Sequence, residues 1–187
     1  MASIAPSALA LRIAAISALA LIYRLLYQGP DLREVDLRDF LEELLAMLVT
    51  SEPTFGQMVE TGLKADSLIV DADRLPPLAL FAVEAITNAR KHGISEQGGR
   101  LLVEFTAREG KASLSIADSG VEGHVPVVGQ GVGRTLMIAF ARQLRGEVSY
   151  SVNEMGGLTT LLQFPFDPEP TGATVVANRN PEQAQAL

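Results

Sequence analysis

Glu84-Ala-Ile-Thr-Asn88-Ala-Arg-Lys91-His92 is the stretch on which the reading of the whole chain turns. Glu84 and Asn88 stand four residues apart, so on a helix they share one face. Their neighbours Leu80, Phe81, Val83 and Ile86 are strongly apolar, which turns that face toward a pocket rather than bulk water. An Asn carboxamide oxygen suits Mg²⁺, a hard ion that usually meets a protein through one or two side chains plus phosphates. Two further pieces follow, Asp118-Ser-Gly120 and Gly129-Gln-Gly131-Val-Gly133. A carboxylate such as Asp118 accepts a hydrogen bond from an exocyclic amine like that of adenine. Glycines at every second position let the backbone approach phosphate oxygens, and they lead into a helix whose free N–H groups favour anions. Taken singly, these pieces read as a solvated helix face, a strand-ending turn and a glycine loop. In this order, carried by a helix, a strand and a second helix, they describe a pocket for Mg-ATP. The glycine run is neither a dinucleotide fingerprint, since no strand directly precedes it, nor a Walker motif, since no Gly-Lys-Ser/Thr follows.

Working outward, Asp73-Arg-Leu-Pro-Pro-Leu opens the helix that ends near His92, with Gly93 stopping it and the prolines placed near its start. Residues 100–107 and 112–117 alternate at period two around Arg108-Glu-Gly-Lys111 and predict a hairpin, with Asp118 where its second strand ends. Gly120 to Val132 is irregular and glycine-rich. Gly133 to Arg145 is an amphipathic helix ended by Gly146. A last hairpin joins Glu147–Val152 to Leu158–Phe166 through Asn153-Glu-Met-Gly-Gly157. Upstream, short strands are predicted around Gly56 and Gly62, with Ser67-Leu-Ile-Val-Asp the clearer one. A helix runs from Leu37 to Leu48 with Asp36 as its cap. Antiparallel strands with helices on one face predict an α+β sandwich. The tail from Asp167 is rich in Pro, Asn, Gln and Glu and predicts disorder.

The 187 residues suffice for one ordinary domain plus an appendage. A net charge of −7 argues against nucleic acid as a partner. The absence of Cys excludes disulfides and thiolate metal sites and suits a reducing cytoplasm. Arg12 and Arg24 bracket too short an apolar run for a bilayer span, which needs about 20 residues. A helix over Pro6–Gln28, ended by Gly29-Pro30, is apolar nearly all round from Leu9 to Leu26. It calls for a partner helix or a second protomer.

The three pieces together resemble the N, G1 and G2 boxes of the GHKL ATPases, in particular the ATP-binding domain of sensor histidine kinases, over about Leu11 to Pro165. Arg12 to Tyr27, followed by Val35-Asp-Leu, is similar to the second dimerisation helix of the HWE-like and closely related kinases. The resemblance implies a Bergerat-type α+β sandwich with an antiparallel or mixed sheet behind one dimerisation helix. Its divisions would be 1–30 for that helix, 31–166 for the ATP-binding domain and 167–187 for a disordered tail. It implies that Asn88 takes Mg²⁺ and that Glu84 either orients a water on the metal or accepts the proton of the attacking group. Lys91 would contact phosphate, Asp118 and Gly120 would receive adenine, Gly129, Gly131 and Gly133 would flank the phosphates, and Thr159 would lie near the base. ATP and Mg²⁺ are the implied ligands, and the implied reaction is γ-phosphate transfer to a His in two-component signalling. A response regulator, a His-bearing dimerisation helix and a second copy of the chain are the implied partners, in the cytoplasm and without membrane insertion.

The chain also departs from that pattern. Its only histidines are His92 and His124, so none lies on the first helix, and Tyr23 stands where related kinases often carry His. The missing Trp favours a sister of the HWE subgroup. Labelling of this chain alone is therefore not expected. Two other readings share the fold: a phosphotransfer or scaffold module that binds no nucleotide, and an anti-sigma-type Ser/Thr kinase.

Overall fold

The alternation at 100–107 and 112–117 becomes the central hairpin of the molecule, β4 (Gly99–Arg108) and β5 (Lys111–Asp118), paired from Leu101↔Asp118 to Arg108↔Lys111. Its two-residue turn has positive φ at both Glu109 and Gly110, the primed geometry whose twist matches that of the strands. The structure is a computed structural model and describes residues 16–24, 34–50, 59–95, 98–121 and 132–166. The ends of the predicted N-terminal helix, the strand around Gly56, most of the glycine-rich stretch and the tail from Asp167 lie outside the described residues.

Around the hairpin stand β2 (Val59–Ala65), β6 (Glu147–Val152) and β7 (Leu158–Pro165), giving a five-stranded sheet in the order β2-β4-β5-β7-β6. Three of its pairings are antiparallel, but β2 runs parallel to β4. The sheet is thus mixed. Parallel neighbours need a long crossover, and here it contains β3 (Ile69–Asp71) and α3 (Leu75–His92). The short β3 pairs instead with β1 (Glu34–Asp36) in a separate two-stranded ribbon. The segment Ser67–Asp71, read as the clearer strand, supplies only that ribbon, while the strand through Gly62 joins the main sheet. A Cβ on Gly62 would stand 2.8 Å from the Leu102 side chain, so the position suits glycine at this strand contact.

One face of the sheet, bearing Leu101, Val103, Phe105, Leu114, Ile116, Leu162 and Phe164, is buried. Against it lies α3, which packs on β5 and on α4 (Val132–Gln143), while α4 also packs on β6. Nearly every α3 position from Leu75 to Ala89 is buried, including Phe81 and Val83. This is the apolar surround that the flanks of Glu84 predicted. Burying each large apolar side chain stabilises the fold by roughly 1.5–3 kcal/mol.

The helix α2 (Leu37–Thr50) starts as predicted, with the Asp36 carboxylate accepting the Arg38 amide at 2.8 Å. Residues 16–24 are helical and form α1. Ala18, Leu21 and Ile22 are buried in the same core, and the Arg24 guanidinium pairs with Glu43 of α2. This chain therefore covers one face of α1 itself, which the all-round apolar pattern did not anticipate. Ile16, Leu19 and Tyr23 remain exposed.

Candidate nucleotide site

The helix α3 carries both halves of the site. Its middle presents Glu84 and Asn88, and its C-cap, Gly93, reaches the end of β5. Glu84 is buried, and Asn88 donates a side-chain hydrogen bond to its carboxylate. Burial raises the Glu84 carboxyl above its usual range, and the Lys91 charge and the Asn88 bond only partly offset it. Asn88 spends its amide N–H on Glu84, so its oxygen is the atom that suits a hard cation. Among the described residues no three His, Cys, Asp or Glu side chains gather into a metal cage. Mg²⁺ at Asn88 would draw most of its ligands from phosphates and water, as this ion usually does.

Gly133, in the first turn of α4, faces this pair. A Cβ there would lie 2.0 Å from Glu84 Oε1, so any side chain here would push that carboxylate from its place. Lys91 is half-buried at the end of α3, close enough for its charge to act on Glu84, and His92 beside it is exposed. Gly129, Gly131 and His124 lie outside the described residues.

The second half is built around Asp118. Its side chain is buried, and its Oδ1 accepts the Gly120 amide at 3.0 Å and the Leu158 amide at 3.2 Å. Both donors take Oδ1, which leaves the lone pairs of Oδ2 for a further donor. Burial raises this carboxyl too, and the Leu158 and Gly120 amides oppose the rise. Backbone closes round it on several sides. A Cβ on Gly93 would stand 2.0 Å from Asp118 Cγ, and one on Gly157 would stand 2.2 Å from its carbonyl oxygen. Gly120 has φ +73 and lies against the Gly156 carbonyl, so both its conformation and its neighbour require glycine. Ser119 ties the segment to β4, its Oγ accepting the Arg100 amide at 3.0 Å.

Thr159 and Thr160 divide between the two faces of β7. Thr159 pairs with Ala117 in register, and the Asn153 amide donates to its hydroxyl at 3.4 Å. Thr160 pairs with Ile116 and is the buried threonine on the helix-covered face that Asp118 shares. Sequence reasoning passed over Asn153. Its Nδ2 donates to the Asp118 carbonyl at 2.9 Å while its Oδ1 accepts the Met155 and Gly157 amides at 3.0 Å. It therefore holds the β6–β7 turn against the end of β5. The signal was available, because an Asn leading a Gly-Gly turn commonly bonds its own loop. Tyr150 was also passed over, and the charges of Arg134 and Glu84 act on its phenol; Arg134, at the start of α4, reads in sequence equally as a phosphate contact or a surface residue.

Residues 5–52 match the family model described as histidine kinase. The histidine kinase domain of a blue-light activated histidine kinase from Erythrobacter litoralis superposes with a TM-score of 0.70 at 15% identity, over 83% of this chain and 74% of that one. The catalytic domain of the histidine kinase ThkA gives 0.59 at 16% identity, over 73% of this chain and 97% of that one. The fold is that of a histidine-kinase catalytic domain. The family match at the N-terminus and the fold of the remainder thus agree with the resemblance carried by the three boxes. The longer Erythrobacter litoralis kinase matches with a TM-score of 0.65 at 18% identity over 82% of this chain, which spans about half of its length, 53%. No curated protein matches the chain in sequence. No described helix is long and apolar enough to cross a membrane.

Proposed function

We propose that this chain is the ATP-binding catalytic part of a histidine kinase, taking Mg-ATP and passing its γ-phosphoryl group to a histidine in two-component signalling. The observation that carries the reading is Asp118, buried, fixed through Oδ1 by two backbone amides and left with Oδ2 for a base amine. Asn88 supplies an oxygen for Mg²⁺, which when bound would neutralise phosphate charge. Lys91 supplies a cation on the same helix end.

In the transfer, the bond from the γ-phosphorus to the bridging oxygen breaks and ADP leaves with the electron pair. A bond from phosphorus to an imidazole nitrogen forms, and the imidazole proton goes to Glu84. A carboxyl raised by burial holds that proton better than an ordinary one. His92 is exposed at the end of α3 and not on a dimerisation helix, so the acceptor proposed is a His on a partnering helix. A second copy of the chain, a His-bearing helix and a response regulator are the partners this assigns.

A thermal melt tests the nucleotide half. A ligand that binds only the folded state adds about 2.7 kcal/mol at a hundredfold excess over its Kd. Mg-ATP should raise the melting temperature clearly while Mg-GTP should not, and equal shifts with both would remove Asp118 as base reader. Labelled ATP tests the transfer: the chain alone should stay unlabelled and an added His-bearing helix should take acid-labile label. Strong self-labelling would make His92 or His124 the acceptor.

A further inference from the structure

Beside Glu84, two strong donors have no partner among the described residues. The Tyr150 hydroxyl is one: its oxygen is buried without a hydrogen bond, the only described side-chain atom of that kind. A buried hydroxyl left unpaired costs stability, and native structures seldom keep one without a reason. The other is Arg134. Its guanidinium carbon lies 5.7 Å from the centroid of the Tyr150 ring, and no hydrogen bond or ion pair links it to a described residue. Stacking on a ring face holds a guanidinium in place while its N–H groups, which lie in its own plane, stay free to donate.

Their surroundings put both donors in the site. Arg134 follows Gly133, where an added Cβ would meet Glu84 Oε1, and the charges of Arg134 and Glu84 both act on the Tyr150 phenol. Across the β6–β7 pairing Tyr150 faces Thr160, on the sheet face that carries Asp118. The carboxylate nearby already has Asn88 as its donor and Lys91 as a cation. The phenol is thus a buried donor without a partner, with the exposed guanidinium of Arg134 over its ring, and one anion could take both.

We propose that Arg134 and Tyr150 form a clamp for the terminal phosphate of the nucleotide, the guanidinium and the phenol O–H both donating to its oxygens. The Tyr150 ring fixes where the guanidinium sits. The clamp rests on the reading of the pocket as a Mg-ATP site, and it makes that site prefer a triphosphate to a diphosphate.

Calorimetry of the full chain with Mg-ATP and with Mg-ADP tests this. Hydrogen bonds to a charged group correspond to about a ten- to a hundredfold difference in binding. Arg134→Gln should weaken Mg-ATP by about that factor and leave Mg-ADP unchanged. Tyr150→Leu should reproduce the loss, and Tyr150→Phe, which keeps the ring but not the hydroxyl, should fall between. Tyr150→Phe and Arg134→Gln keep the test informative if the leucine variant fails to fold. Unchanged Mg-ATP binding in those two variants, or equal losses for both nucleotides, overturns the clamp and leaves the nucleotide site standing. A wild-type chain that binds neither nucleotide overturns the site and the clamp together.

Discussion

Glu84 and Asp118 are both held in apolar surroundings, and in both carboxyls burial outweighs the contacts that favour the charged form. An acid raised in the folded state keeps its proton where the unfolded chain has released it, so the fold loses stability as pH climbs. For Glu84 that loss begins near 4.5 and continues through its raised folded value; for Asp118 it begins near 3.8. Glu84→Gln should therefore melt like the wild type near about pH 4 and higher than it near about pH 7, while losing phosphotransfer. A variant less stable than the wild type at neutral pH would mean that the carboxylate is a structural asset. Asp118 needs a conservative change. Alanine would strand the Gly120 and Leu158 amides, at about 1–3 kcal/mol for each unsatisfied group. Asp118→Asn keeps an oxygen for them and replaces the outward acceptor with a donor, so the apo melt should hold and the Mg-ATP shift should vanish. A persisting shift removes Asp118 from base recognition. Both carboxylates were legible from residue type and spacing. Asn153 and Tyr150 were not, because their neighbours depend on which strands lie side by side.

At the level of elements, one missing side chain in α4 leaves room for the Glu84 carboxylate of α3. Glycine in a helix usually costs about 0.5–1 kcal/mol relative to alanine, so Gly133→Ala would ordinarily stabilise α4. Here the added methyl would lie 2.0 Å from Glu84 Oε1. The expected outcome is a loss of about 1–3 kcal/mol, typical of overpacking. Adding Glu84→Ala should recover most of it, and a double-mutant cycle measures that coupling. Additive effects would place the two residues apart. The helix α4 also shows where a local rule misleads. Gly146 was read as its stop, yet Arg145 takes the left-handed conformation at φ 55. The Arg145 and Gly146 amides close back on the Arg142 and Ala141 carbonyls at 3.0 and 2.8 Å, a Schellman ending with arginine where glycine is usual. Gly146 serves β7 instead, since a Cβ there would stand 2.3 Å from the Gln163 carbonyl. The hairpins and α3 were plain from period and turn chemistry. The parallel β2–β4 pairing was not, because strand direction depends on how the crossover closes.

Over the whole molecule, α1 is two-sided. Ala18, Leu21 and Ile22 face the core, while Ile16, Leu19 and Tyr23 stand 66%, 47% and 64% exposed. Those three lie at i, i+3 and i+7, the seam spacing of a helix meant to pack on another helix. The chain should therefore self-associate through this stripe. Ile16→Lys with Tyr23→Lys should lower the sedimentation coefficient toward that of a monomer without changing the melt in dilute protein. Trimming the chain to start at Asp31 is the poorer test, because it would also remove three core residues and the Arg24–Glu43 pair. If wild type and variant both sediment as monomers, the stripe has another use. The all-round apolar pattern showed that the helix needed cover, but not that its own domain supplies half of it.

With no tryptophan and three tyrosines, the chain's near-ultraviolet emission comes from phenols alone. Tyr23 is open to solvent, whereas Tyr150 lies beneath a guanidinium and beside a buried carboxyl. Replacing Tyr23 and Tyr27 with phenylalanine would leave a single intrinsic fluorophore seated in the site. Its intensity and anisotropy then become a label-free optical gauge of whatever binds beside Glu84.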